Sequence, residues 1–140
     1  MILRRRLVLA TGFTPLLAPC GGLARPAQRI RRIGHLSLSR RDSEVAQMGQ
    51  ALMRESLRRV GWQEGSNLVV ERRSAEGEFA RLAVLAEDLV RLDPDLIVAV
   101  LNAAVMAAMH ATRTVPIVMV GATHPVETGF VQSFPRPGGN

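Results

Sequence analysis

Five consecutive apolar residues, Leu96-Ile97-Val98-Ala99-Val100, follow Pro94-Asp95. A strand with one wet face alternates apolar and polar residues. An unbroken run of this length suits a central parallel strand covered on both faces. Parallel strands cannot be joined by a tight hairpin, so each needs a crossover, usually a helix. The flanking sequence supplies them. Ile33 to Leu38 alternates as a strand. Asp42 or Ser43 can cap a helix whose apolar face is Val45, Met48, Leu52, Ser56 and Val60, with Met53 and Leu57 beside it, and Gly61 ends it. Asn67 to Arg73 reads as a second strand. Phe79, Leu82, Leu85, Ala86 and Leu89 make the stripe of a second helix that stops before Pro94. A third helix over Ala103 to Thr112 and a fourth strand over Ile117 to Val120 complete the series.

Strand alternating with helix predicts an α/β fold: an open parallel sheet of order 2-1-3-4, right-handed crossovers, and helices on both faces. In such sheets ligands bind beyond the carboxyl ends of the strands, near the point where strand order reverses. Those ends are Ser37 to Arg41, Ser74 to Glu78, Leu101 to Ala104 and Gly121 to Glu127.

The first 24 residues have a different character. Arg4, Arg5 and Arg6 precede a short apolar stretch, Leu7 to Ala18, and Gly22-Leu23-Ala24 puts small residues where a leader peptidase cuts. This order predicts an export signal over residues 1–24, a linker over 25–31 and a folded unit over 32–140. Leu17-Ala18-Pro19-Cys20 resembles a lipobox, which makes Cys20 a candidate lipidation site, although Pro19 stands where Gly or Ala is usual. The Arg run before Leu7-Val8 also resembles a twin-arginine signal.

Charge and inventory exclude several classes. The net charge is +6, yet Arg4 to Arg6 account for half of it. The other Arg residues are interleaved with acids, and the aromatic content of 4% offers little for base stacking. No nucleic-acid partner is expected. The chain has no Lys, which removes phosphate-loop and Schiff-base lysines. Its single Cys allows no internal disulfide and no cysteine metal site. His35, His110 and His124 are far apart and accompany no ligand-spaced carboxylates. No Gly-x-Ser-x-Gly elbow or Gly-x-Gly-x-x-Gly turn occurs. The third strand ends without the Asp a receiver domain needs. No enzyme activity, metal or cofactor is expected.

Several stretches together resemble one family, the solute-binding proteins of ABC transporters with a type I periplasmic-binding fold. They are Arg32-Ile33-Gly34-His35-Leu36-Ser37, Leu57 to Leu68 with its Val60-Gly61-Trp62, Ala75-Glu76-Gly77 followed by Phe79, Arg81 and Leu82, and Leu89 to Val98 around Asp93-Pro94-Asp95. The most specific are Pro116-Ile117-Val118, Pro125-Val126-Glu127-Thr128-Gly129-Phe130-Val131 and Pro135-Arg136-Pro137-Gly138-Gly139-Asn140. The resemblance covers about residues 31 to 140. It implies a periplasmic protein that closes two lobes on a small solute, an amino acid in some relatives, and docks on an ABC permease in the inner membrane. In that family Pro-Gly-Gly-Asn leads into a hinge and second lobe, so the chain is expected to carry the N-terminal lobe, as a fragment or a truncated product. An effector lobe of a repressor shares the fold but would carry a helix-turn-helix in place of the signal. A truncated, non-transporting remnant is the other alternative.

The candidate ligand-binding residues follow from the strand ends. Ser37 and Ser39 offer hydroxyls after the first strand, and Glu76 follows the second. Asn102 and Ala103 open the third helix, where free N–H groups favour a carboxylate. Thr123 and His124 follow the fourth strand. Ser37, Ser39 and Asn102 equally suit caps and turns. Two positions depart from the family pattern. Leu101-Asn102 stands where Gly and a small hydroxyl residue are frequent, and His124 where Asp is common. His35 is expected in the core or between lobes, and His110 near a helix C-terminus.

Overall fold

The computed structural model describes residues 29–140. The expected export signal over residues 1–24 and the candidate lipidation site Cys20 lie outside the described residues. Seven elements follow in strict alternation: β1 (Arg31–Ser37), α1 (Glu44–Arg59), β2 (Leu68–Ser74), α2 (Arg81–Arg91), β3 (Leu96–Val100), α3 (Leu101–Ala111) and β4 (Ile117–Val120). The four strands form one parallel sheet of order β2-β1-β3-β4, as the alternation requires. Among the described residues, no helix is long and apolar enough to cross a membrane.

The two faces of the sheet differ. On one face Gly34 and Leu36 of β1 lie beside Ile97 and Ala99 of β3, which in turn pair with Ile117 and Met119 of β4. Helices α2 and α3 cover this face with Leu82, Ala86 and Leu89 and with Ala104, Val105 and Ala108, and all six are buried. Leu36, Leu89, Ile97 and Val105 are the largest fully buried side chains, so this layer is the core. Small residues let the layers close. A Cβ on Gly34 would stand 3.2 Å from Ile97 Cγ1 and 3.4 Å from Leu89 Cδ2.

The other face is thinner. Helix α1 begins at Ser43, whose Oγ accepts from the Ala46 N–H. It ends in a Schellman turn: Trp62 N–H donates to Leu57 C=O, Gly61 N–H donates to Arg58 C=O, and Gly61 takes φ +89°. No residue of α1 is buried. Its half-buried positions Ala46, Gln50, Met53 and Leu57 recur at helical spacing and mark the stripe turned to the sheet. The expected stripe is therefore displaced: Val45, Met48, Leu52 and Val60 are 64–80% exposed. An apolar surface two stripes wide cannot all meet one sheet, and the row of Ala46, Gln50, Met53 and Leu57 is the one turned to it. Because α1 leaves part of this face open, Val118 and Val120 of β4 are also exposed.

Two smaller differences concern helix ends. Phe79 precedes α2 and is 68% exposed, so it is not part of the buried stripe. Helix α3 starts at Leu101, directly after Val100, with no intervening loop.

Replacing Gly34 by Val should overpack the junction of β1, β3 and α2 and cost about 1–3 kcal/mol. Chemical denaturation of the two proteins checks this, with a lower midpoint at unchanged slope expected for the variant.

Candidate functional site

Parallel pairing brings the carboxyl ends of all four strands to one edge of the lobe. Ser37 pairs with both Ser74 and Val100, and Val100 pairs with Val120, so the strands stop at one level. The loops that follow form a rim with two clusters.

The first cluster joins the ends of β1 and β2. The buried Ser37 Oγ accepts the Ser39 N–H at 3.1 Å. The buried Ser74 hydroxyl donates to the Ser39 carbonyl and its oxygen accepts the Glu76 N–H. The Glu76 carboxylate accepts the Arg41 N–H at 3.3 Å and pairs with the Arg41 guanidinium at 3.5 Å. Ser37 and Ser74 thus act on the backbone and hold Ser39 and Glu76 in place. Ser74 was not singled out by the sequence. Its signal is positional, since it ends β2 opposite Ser37.

The second cluster joins the ends of β3 and β4. The Asn102 side chain and Thr123 exchange three hydrogen bonds. Thr123 N–H donates to Asn102 Oδ1 at 2.8 Å, and Asn102 Nδ2 donates to the Thr123 carbonyl at 3.1 Å and hydroxyl at 3.2 Å. Asn102 is therefore a clamp between two loops and not a cap of its own helix. Ala103 lies half-buried in the first turn of α3. His124 is exposed, and its carbonyl accepts from both the N–H and the hydroxyl of Thr128.

Backbone strain gathers at the same edge. Four described non-glycine residues have left-handed φ values: Glu76 (+54°), Asp93 (+50°), Leu101 (+67°) and His124 (+49°). Three of them follow β2, β3 and β4 directly or within four residues. Asp and His adopt this region with little penalty, but a leucine there is an outlier that costs about 1–3 kcal/mol.

Beneath the rim, on the α1 side, a cavity of about 280 Å³ is lined by His35, Ser37, Ser39, Val45, Gly49 and Met53 and by the valines of β3 and β4. Ser37 and Ser39 thus stand between the rim and this cavity. His35 also points into it, next to Arg72 across the β1–β2 pairing. Burial first, and the Arg72 charge second, hold its pKa below the usual 6.5. The Arg72 guanidinium is itself tied to Glu64, one N–H donating at 2.9 Å, and Glu64 is held below the usual carboxylate range chiefly by that bond. His110 is exposed in the last turn of α3, as expected. Among the described residues, no group of His, Cys, Asp or Glu is placed to hold a metal ion.

Two outcomes follow from this geometry. Asn102→Ala removes the clamp and should cost about 1–2 kcal/mol, with Thr123→Ala costing less because its backbone partners survive; thermal melts check both. The His35 effect has a definite sign. The unfolded chain binds a proton more readily than the folded one, so stability falls as pH drops below about 6.5, before the carboxylates titrate. A melt series from pH 7.5 to about 5 should show the loss, and His35→Gln should flatten it.

The model of the family described as ABC transporter substrate binding protein matches residues 44–140, more than half of the chain. A protein called tyrosine-binding protein, from Clostridioides difficile strain R20291, is 34% identical over 86 residues, which are 61% of this chain and 25% of that protein. This chain therefore spans about a quarter of that relative's length. Among solved structures, a conserved domain protein from Vibrio cholerae superposes with a TM-score of 0.74 at 25% identity over 80% of this chain and 37% of its own. A ligand-free, open substrate-binding protein with adhesive properties from Clostridium difficile gives 0.72 at 23% identity over 79% and 37%. An ABC domain from Streptococcus pneumonia in complex with L-Trp gives 0.72 at 23% over 79% and 36%. The parallel four-stranded lobe and the family match agree, and the chain belongs to the substrate-binding proteins of ABC transporters, a family that binds solutes and is not a family of enzymes.

Proposed function

We propose that this chain is the N-terminal lobe of an exported binding protein that delivers a small solute, of the amino-acid class, to an ABC importer. The observation that carries this reading is the rim. Hydroxyl, amide, carboxylate and imidazole groups stand together at the one edge where open parallel sheets take ligands. The names of two relatives, one tyrosine-binding and one in complex with L-Trp, support an amino acid as the solute class.

The roles divide by chemistry. An α-amino acid brings a carboxylate and an ammonium. The free N–H groups of the first turn of α3, at Asn102 and Ala103, suit the carboxylate, and the Ser39 and Thr123 hydroxyls add donors. Glu76 suits the ammonium, with Arg41 limiting its excess charge. Ser37 positions Ser39, and Asn102 positions Thr123. His124 borders the site and supplies a donor or acceptor. A second lobe would close over this rim by a hinge, and the closed form would dock on a permease in the inner membrane. Exposed apolar side chains on α1 and β4 fit a lobe that is completed by further chain. In this reading the product is periplasmic, cut after Ala24 or lipidated at Cys20.

Calorimetric titration of the native gene product with the L-amino acids tests the reading. One solute should bind per chain, and Glu76→Gln should weaken it by about tenfold, the loss of one charge-assisted contact. No heat with any amino acid would overturn the solute class. Intact mass and N-terminal sequencing of the same product test export: an Arg25 or lipidated Cys20 terminus is expected, and a retained Met1 would overturn it.

A further inference from the structure

Leu101 stands where the backbone asks for glycine. It follows Val100 with no loop, and the abrupt turn from β3 into α3 forces its φ to +67°. A leucine accepts this region only when its surroundings over-determine it. Burial does not compensate, because Leu101 is 47% exposed while the buried side of α3 is formed by Ala104, Val105 and Ala108. Its side chain instead leans toward the end of β4: a Cβ built on Gly121 would lie 3.2 Å from Leu101 Cδ2. Gly121 is itself left-handed at +66°, and the adjacent Asn102–Thr123 clamp fixes both loops around the pair. The isobutyl group is thus held rigidly at the rim, between two strand ends, at a cost to stability. The named rim residues Ser39, Glu76, Thr123 and His124 are all polar. Leu101 is the largest exposed apolar side chain at the ends of β3 and β4, where Val120 and Val126 are also exposed.

Resting on the solute-binding reading above, we propose that Leu101 is a specificity-determining residue: its isobutyl group walls the space between the ends of β3 and β4, accepts the apolar part of the solute, and favours an aliphatic α-amino acid over an aromatic one. The polar rim groups then take the charged ends of the solute, which every α-amino acid shares. Discrimination falls to the apolar groups at this edge, of which Leu101 is the largest and the one held in place at a cost in backbone strain. A phenol or indole ring needs much of the volume that the isobutyl group fills.

The test is calorimetry on the native gene product and its Leu101→Gly and Leu101→Asn variants, each titrated with L-valine, L-leucine, L-tyrosine and L-tryptophan. The native protein should bind an aliphatic member at least about tenfold more tightly than either aromatic one, the discrimination a fitted apolar pocket supplies. Leu101→Gly should raise the melting temperature by about 2–4 °C through relief of the left-handed strain, and should invert the preference. Leu101→Asn tolerates the same φ and has nearly the same size. It should keep the aromatic solutes out while losing aliphatic affinity by about tenfold. If the native protein binds amino acids and both variants leave the aliphatic-to-aromatic ratio unchanged, Leu101 does not set specificity and the solute-binding reading stands. If none of the four binds native protein or variants while another L-amino acid does, this assignment fails and the amino-acid reading stands; no heat with any L-amino acid overturns both.

Discussion

The register in which β3 joins β1 governs the rest of the lobe. It is set at the amino ends of the strands by Asp95. The Asp95 N–H donates to the Arg32 carbonyl at 2.8 Å, and one carboxylate oxygen accepts the Arg32 N–H at 2.8 Å. The other oxygen takes the Arg31 guanidinium at 2.6 Å. The backbone N–H, with Arg31 next, holds the Asp95 carboxyl below the usual carboxylate range. Because side chains alternate with a period of two, a slip of one residue would turn Ile97 and Ala99 out of the core. It would also separate Ser37, Val100 and Val120, whose common level makes the rim. One carboxylate at the bottom of the sheet thus fixes the geometry at the top.

The two sides of the sheet divide the labour. The α2–α3 side is dry and closely packed, with Leu36, Leu89, Ile97 and Val105 fully buried. Close-packed interiors transmit strain and deform little, so this layer can hold a costly loop conformation at its edge. The α1 side is looser. Its cavity carries a histidine with a lowered pKa, and its helix shows apolar residues on two adjoining stripes. Any rearrangement of the lobe should begin there, where few buried contacts resist local opening.

The fold was largely legible in the sequence because its signals are redundant. The apolar run Leu96–Val100, the Gly61 stop and Pro94 each limit one element, and together they admit a single alternating order. The rim positions followed from that order through the rule for parallel sheets. Illegible were properties that depend on rotation or on backbone angle. Val45, Met48 and Leu52 have helical spacing as good as that of Ala46, Gln50 and Met53, and only the rotation of α1 about its own axis chooses between them. Phe79 continues the spacing of α2, but the helix starts two residues later, so the pattern overran its element. The roles of Asn102 and Thr123 were equally hidden. Each reads as a polar residue after a strand, and their mutual satisfaction appears only when β3 and β4 lie side by side.

Strain and clamp are two parts of one arrangement. A left-handed leucine would relax if the turn from β3 into α3 were free to lengthen. It is not free, because Asn102 is bonded through both its oxygen and its nitrogen to Thr123, across the gap to β4. Gly121 removes the Cβ that would meet Leu101, so the same junction both forces the conformation and makes room for the side chain. A site used only for stability would not develop this way, since a glycine at position 101 satisfies the backbone without penalty. Stability forgone at a half-exposed position is best explained by what the side chain does at the surface, and this surface is the edge of the sheet where a solute would lie.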